Sequence, residues 1–129
     1  MKFTILVQAQ PVGSQGSETA LRFARATLAS GHQITRIFFY NEGVQSANAL
    51  ALAPQDERCL PDEWQAFLSR TKIDAVVCIA AAIRRGIVNA QEAQRYGKQG
   101  SNLIAGAELS GLGQLIAASL ESDRIITFG

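Results

Sequence analysis

Short apolar runs alternate along this chain with longer segments whose apolar residues recur at helical spacing. The runs are rich in Ile, Val and Phe and carry few polar interruptions, which is typical of strands buried in a parallel sheet. The pattern predicts strands over Lys2–Gln8, Gln33–Tyr40, Ala75–Cys78 and Arg124–Phe128.

The segments between the runs predict helices, and several of them have recognisable ends. Ser17 is expected to cap a first helix that runs to about Ser30 and ends at Gly31. Further helices are predicted over Val44–Leu50, from Pro61 to Thr71, over Asn89–Tyr96 before Gly97, and from a cap at Ser110 through Leu120.

Alternating strands and helices imply right-handed crossovers and a parallel sheet that is covered on both faces. The chain has 129 residues, of which 47% are hydrophobic and 18% charged, so it suffices for one packed core. We therefore expect residues 1–129 to form a single domain. Its fold would be a three-layer α/β/α sandwich with a mainly parallel sheet of about five strands.

Composition excludes several functional classes. The formal net charge of +1 does not favour nucleic-acid binding through the global field. The cysteines, Cys59 and Cys78, do not form a disulfide framework, and the single histidine, His32, leaves no cluster for zinc. The apolar start turns polar at Gln8, so it predicts a strand and not a signal peptide. A cytoplasmic protein with reduced thiols is expected.

Cys78 is the leading candidate for chemistry. It ends a predicted strand, and Ile79–Gly86 after it predicts a turn or the first turns of a helix. Ligands of open parallel sheets bind just past the carboxyl ends of strands. A thiol there lies near backbone N–H groups, which favour the nucleophilic thiolate. The alternative is that Cys78 is a small buried hydrophobe, as most free cysteines are.

Four other residues are candidates for supporting roles near Cys78. Arg84 or Arg85 would favour the thiolate, although both also fit the description of solvated surface charges. Tyr40 and Glu42 follow the second strand and are expected at the same edge of the sheet, where they would shape the pocket. The glycines after Ser110 would allow a close approach to a neighbouring backbone, at the site or at a subunit contact.

Other polar features favour structural interpretations. Cys59 lies among acidic residues, which disfavour a thiolate. The glycine-rich loop Pro11–Gly16 lacks the pattern of a phosphate-binding loop, and we interpret it as a flexible turn that forms one wall of the pocket over Cys78. His32 follows a helix-ending glycine, and we do not expect it to act as the catalytic base of a cysteine–histidine pair. The remaining chemistry is simple thiol transfer of a sulfur atom.

These residues resemble the DsrE family over nearly the whole chain. The matching segments are Gly31–Ile34, Phe38–Tyr40, Glu42–Val44 with Ala47–Asn48, Cys78–Gly86, Ser101–Leu103 and Leu109–Gly113. The resemblance implies a sulfurtransferase without metal or cofactor, in which Cys78 carries sulfur as a persulfide. It assigns no role to Cys59.

The resemblance also implies partners. Proteins of the sulfur-relay branch of this family assemble with TusB-like and TusC-like subunits as a dimer of heterotrimers. They take sulfur from a TusA-like donor and pass it to a TusE-like acceptor, for the 2-thio group of the wobble uridine in transfer RNA. Related complexes carry sulfur in dissimilatory sulfur oxidation.

Three rivals remain open at the level of the residues. The chain would be a scaffold subunit if Cys78 were only part of the core. It would be a flavodoxin-like nucleotide- or flavin-binding domain if the loop Gly13–Gly16 held a phosphate. Direct binding of transfer RNA has support only from Arg84 and Arg85.

Overall fold

A five-stranded, fully parallel sheet in the order β4-β3-β2-β1-β5 forms the centre of the molecule in the computed structural model, which describes residues 1–129. The strands are β1 (Lys2–Val7), β2 (Gln33–Phe39), β3 (Ala75–Cys78), β4 (Ala107–Ser110) and β5 (Arg124–Phe128). The helices are α1 (Gly16–Ala29), α2 (Leu60–Thr71), α3 (Ile79–Arg84), α4 (Ala90–Arg95) and α5 (Gly113–Glu121), with a 3₁₀ helix over Asn41–Ala47.

Helices cover both faces of the sheet. In β1, the ring of Phe3 packs edge-on against Phe23 of α1, whereas the hydroxyl of Thr4 donates to the Ala118 carbonyl of α5. Consecutive strand residues point to opposite faces, so α1 and α5 lie on opposite sides. The connection through α5 runs from one edge strand to the other, and right-handed crossovers therefore place it on the far face. The predicted three-layer α/β/α sandwich is confirmed.

The core lies between the sheet and the helices α1 and α2. Its largest fully buried side chains include Trp64, Phe38, Phe39 and Phe67. Phe39 of β2 packs edge-on against Trp64 of α2, with ring centroids 5.1 Å apart. None of the helices combines the length and the apolar character that crossing a membrane requires.

Ser17 does not cap the first helix. The helix begins one residue earlier, at Gly16, and Gln15 is its N-cap residue. Ser17 is fully buried, where its hydroxyl accepts a hydrogen bond from the indole N–H of Trp64 at 3.0 Å and lies 2.6 Å from the hydroxyl of Ser46. The indole N–H needs an acceptor inside the core, and Ser17 supplies it.

The region of the fourth strand was also predicted wrongly. Ser110, expected to cap the last helix, is instead the final residue of β4, and α5 begins at Gly113.

The short helix expected over Val44–Leu50 is a 3₁₀ helix that begins earlier, at Asn41. The glycine ends of two helices are confirmed, because Gly31 and Gly97 adopt left-handed backbone angles of +81° and +68°.

Gly43 packs directly against the backbone of β1. A Cβ atom added at Gly43 would lie 2.0 Å from the carbonyl oxygen of Val7, far inside contact distance. That same oxygen accepts the backbone N–H of Tyr40, at 2.9 Å. The 3₁₀ helix therefore sits against the carboxyl end of β1 only because residue 43 has no side chain.

We expect Gly43→Ala to lower the free energy of unfolding by about 2 kcal/mol or more, because a methyl group cannot fit without moving backbone. Chemical denaturation measures the change. Gly111→Ala is the matched control, since a Cβ there meets nothing within 4 Å. Equal stabilities of the two variants would contradict the proposed packing.

Candidate functional site

Cys78 lies at the junction of a strand and a helix. It is the last residue of β3 and the N-cap residue of α3, which begins at Ile79. In the sheet, Cys78 pairs with Ser110 of β4, and its neighbour Val77 pairs with Phe39 of β2. The predicted position at the carboxyl edge of a parallel sheet is therefore found.

The thiol is buried, since only 4% of Cys78 is exposed. The same residue belongs to the hydrophobic core cluster. Burial agrees with the alternative that Cys78 is a core residue. A nucleophile at this position needs access that the isolated chain restricts.

The sequence Ile79–Gly86 forms a helix with a defined end. Ala81 and Ala82 face the interior, and the helix closes at Gly86, whose φ of +73° suits glycine. The N–H of Ile87 donates to the carbonyl of Ala82, and Ile87 is fully buried. This arrangement is a Schellman motif with its apolar anchor, and it holds α3 in place behind Cys78.

The two arginines after Cys78 have different environments. Arg85 forms an ion pair with Glu42 at 2.7 Å, and it also donates to the carbonyl of Ala81 at 3.0 Å. Arg84 is exposed and takes part in none of the ion pairs of the chain. Arg85 thus ties α3 to the 3₁₀ helix, and Arg84 is available to a partner.

Tyr40 and Glu42 lie at the same sheet edge as Cys78. Tyr40 directly follows Phe39, the register partner of Val77, and it packs half-buried against the core cluster. Glu42 is the second residue of the 3₁₀ helix and pairs with Arg85 through a side chain that is 50% exposed. Their role as support for the thiol remains a prediction.

A network of asparagines was missed by the sequence analysis. The side-chain amide of Asn102 donates to Asn48 at 3.1 Å and to the carbonyl of Gly86 at 3.0 Å, and its carbonyl oxygen accepts the N–H of Val88 at 2.8 Å. These bonds fix the turn that ends α3. Asn48 and Asn102 do lie in two segments that carry the family resemblance, which was the available signal.

Ser110 is the other neighbour that the sequence analysis did not place. It was expected to begin a helix, yet it is the register partner of Cys78 in the adjacent strand. Within the chain the glycines after it make no close approach, since a Cβ at Gly111 or Gly113 would meet nothing within 4 Å, and a subunit contact there remains a prediction.

Cys59 is unsuited to nucleophilic chemistry. Its thiol donates to the carbonyl of Ala51 at 3.4 Å. Burial raises the pKa of Cys59, and the negative charges of Asp62 and Glu63 raise it further. A protonated thiol is a poor nucleophile, as expected for an incidental cysteine.

The glycine-rich loop lies away from Cys78. Gly16 at its end approaches Gly129, which follows β5, and β5 lies on the opposite side of β1 from β2 and β3. The expectation that Pro11–Gly16 forms a wall over Cys78 therefore has no support in the geometry.

His32 is exposed, with Nδ1 3.1 Å from the amino terminus. No group of His, Cys, Asp and Glu residues is arranged to hold a metal ion.

Solved structures of other proteins share this fold. The YchN protein from E. coli superimposes with a TM-score of 0.77 at 23% identity, covering 99% of both chains. A protein of unknown function from Methanobacterium thermoautotrophicum gives a TM-score of 0.59 at 14% identity, covering 98% of this chain and 97% of that one.

Curated relatives match at higher identity. A "Sulfurtransferase TusD homolog" from Pseudomonas aeruginosa is 53% identical, covering 100% of this chain and 98% of the relative. A "Putative sulfurtransferase DsrE" from Allochromatium vinosum is 43% identical over 100% of this chain and 99% of the relative. A "Sulfurtransferase TusD" from Enterobacter is 42% identical over 99% of this chain and 100% of the relative.

These names support the sulfurtransferase activity predicted from the sequence, and the predicted family is confirmed. The model of the DsrE/DsrF-like family matches residues 1–128. With that match and with relatives of this identity over the full chain, the protein belongs to the DsrE/DsrF-like family.

Proposed function

We propose that the protein is a sulfurtransferase that carries sulfur as a persulfide on Cys78. The observation that supports this most strongly is the position of Cys78, at the carboxyl end of β3 and the start of α3, in a family with relatives named sulfurtransferases. The other cysteine, Cys59, has a raised pKa and no comparable position.

The reaction consists of two exchanges with no net oxidation or reduction. The Cys78 thiolate attacks the outer sulfur of a donor persulfide, the new S–S bond forms as the old one breaks, and the donor leaves as a thiolate. An acceptor thiolate then attacks the outer sulfur on Cys78, which regenerates the Cys78 thiolate. Each step needs only a thiolate and access to it.

The backbone at the start of α3 supplies the polar contribution to this site. The first turn of a helix has N–H groups without intrahelical partners, and these favour negative charge near Cys78. Arg85 is committed to Glu42, so of the two arginines Arg84 is the one free to meet a partner or its persulfide. Tyr40 follows β2 at the same edge of the sheet and is proposed to shape the space around the thiol.

The proposal includes the proteins that supply sulfur to this chain, accept sulfur from it and assemble with it. Similarity to relatives named TusD supports a TusA-like donor, a TusE-like acceptor and assembly with TusB-like and TusC-like subunits as a dimer of heterotrimers. The sulfur would then reach the 2-thio position of the wobble uridine in transfer RNA. A cytoplasmic location fits this pathway.

Sulfur oxidation is a second candidate, because a relative named DsrE is 43% identical over the whole chain. The exchange at Cys78 would be the same, and only the partner proteins and the direction of sulfur flow would differ. A non-catalytic assembly subunit is the third candidate, and the burial of Cys78 is the observation that favours it.

Sulfur uptake by Cys78 is tested by intact mass spectrometry after incubation with inorganic polysulfide. We expect wild type and Cys59→Ser to gain sulfur that a reductant removes, and Cys78→Ser to gain none while keeping the wild-type melting temperature. An adduct that persists in Cys78→Ser would contradict the assignment. A wild type without an adduct would favour the assembly subunit.

The pH dependence of alkylation tests the assignment of Cys59. In Cys78→Ser, Cys59 is the only thiol, and its pKa is raised above the ordinary 9.0. Since the thiolate is the reactive form, the midpoint of its rate profile with iodoacetamide should lie above pH 9.0, the pH at which an ordinary thiol is half ionised. A midpoint at or below that pH would show a more acidic thiol than this structure implies.

Replacing Arg84 and replacing Arg85 should have different effects on the free energy of unfolding. Arg85→Ala removes an ion pair with Glu42 and a hydrogen bond to Ala81, so we expect a loss of about 1 kcal/mol in the free energy of unfolding. Arg84→Ala should leave that free energy unchanged, because Arg84 makes no ion pair. Equal losses in urea denaturation would show that the clamp between Arg85 and Glu42 does not stabilise the fold.

A further inference from the structure

A groove runs beside the helix that follows Cys78. A cavity of about 620 Å³ is lined by Ile83, Val88, Tyr96 and Lys98, among others. A second depression adjoins it, shares Ile83 and Tyr96 with it, and extends to Ile79. We call the two together the α3–α4 groove.

One end of the groove lies at the start of α3, the helix that directly follows Cys78 in the chain. Ile79, which lines one end, is the residue directly after Cys78, and Ile83 lies one helical turn further along α3. The larger of the two cavities has the volume of a typical ligand site. A segment bound here would lie along the helix that begins directly after Cys78.

The floor of the groove is apolar and its rim is cationic. Ile83 and Val88 are half-buried, and Tyr96 remains 51% exposed. Arg84 and Lys98 lie at the rim without an ion pair. Arg95, whose side chain is 69% exposed, lies 3.9 Å from Glu92 and 5.8 Å from the centre of the Tyr96 ring. The residues that line the groove therefore include three cations and one carboxylate, Glu92.

One oxygen of the Glu92 carboxylate lacks a hydrogen-bond partner. The side chain of Glu92 is only 8% exposed, and it lines the same groove. Its Oε2 is the one buried side-chain oxygen or nitrogen in the chain that has no hydrogen-bond partner. A buried acceptor without a donor is costly, so a donor in the groove would gain the full bond once the Glu92 side chain turns Oε2 toward it.

We propose that the α3–α4 groove docks an acidic, extended segment of the protein that exchanges sulfur with Cys78. Its acidic side chains meet Arg84 and Lys98, an apolar side chain fills the cavity at Ile83 and Tyr96, and a backbone N–H donates to Oε2 of Glu92. The assignment rests on the proposed function, since it places the partner thiol beside Cys78.

The test uses wild-type protein loaded from inorganic polysulfide and two synthetic peptides. Each peptide contains a cysteine and a leucine, with glutamates in one and lysines at the same positions in the other. Sulfur transfer from Cys78 to the peptide thiol is followed by mass spectrometry, and rates are expressed per loaded protein. Comparison across protein variants cancels the intrinsic reactivity of each peptide.

We expect the double variant Arg84→Glu with Lys98→Glu to slow transfer to the glutamate peptide about tenfold at low salt and to accelerate transfer to the lysine peptide. Arg22→Glu with Arg124→Glu is the matched control, because it reverses two exposed cations outside the groove and changes the net charge equally. It should change neither rate. Rates that do not depend on charge at Arg84 and Lys98 would overturn the groove as the docking site.

Glu92→Leu separates docking from structure. Removing a buried carboxylate with one unpartnered oxygen should raise the melting temperature, and removing the acceptor should slow transfer to both peptides. A more stable variant with wild-type transfer would show that Glu92 has no part in docking. A wild type that takes up no sulfur from polysulfide would overturn the proposed function itself, whereas loading without charge-dependent transfer overturns the groove alone.

Discussion

The contact between Gly43 and the carbonyl of Val7 is the constraint on which the candidate site depends. It seats the 3₁₀ helix Asn41–Ala47 at the carboxyl end of the sheet. From there Glu42 holds Arg85, and the carbonyl of Ala47 accepts the N–H of Ile104. Gly43, in the connection that follows β2, thus positions α3, the helix that follows β3. Cys78 lies at the start of that helix.

Local chemistry was enough to predict most of the framework. The strands β1, β2, β3 and β5 are apolar runs, and Gly31 and Gly97 end helices because they accept left-handed backbone angles at no steric cost. The strand Ala107–Ser110 was not predicted because it is a short edge strand. Glu108 within it is exposed, so the run lacks the apolar character of a buried strand.

The candidate site could be predicted only in outline. The position of Cys78 follows from local pattern, because a cysteine that ends a buried run falls at the sheet edge. The division of labour between Arg84 and Arg85 does not, since it depends on Glu42, which is 43 residues away. Ser17 likewise looks like a cap in sequence, and only the indole of Trp64 explains its burial. Long-range partners of polar groups are what local pattern lacks.

The place of β5 has a consequence for how the chain folds during synthesis. β1 is an inner strand, with β2 on one side and β5 on the other, and the carbonyl of Phe128 accepts the N–H groups of Gln8 and Ala9. A nascent chain therefore exposes one edge of β1 until residues 124–128 have left the ribosome. Pairings so distant in sequence form slowly. During that interval the open edge is a template for wrong strand pairing between neighbouring nascent chains.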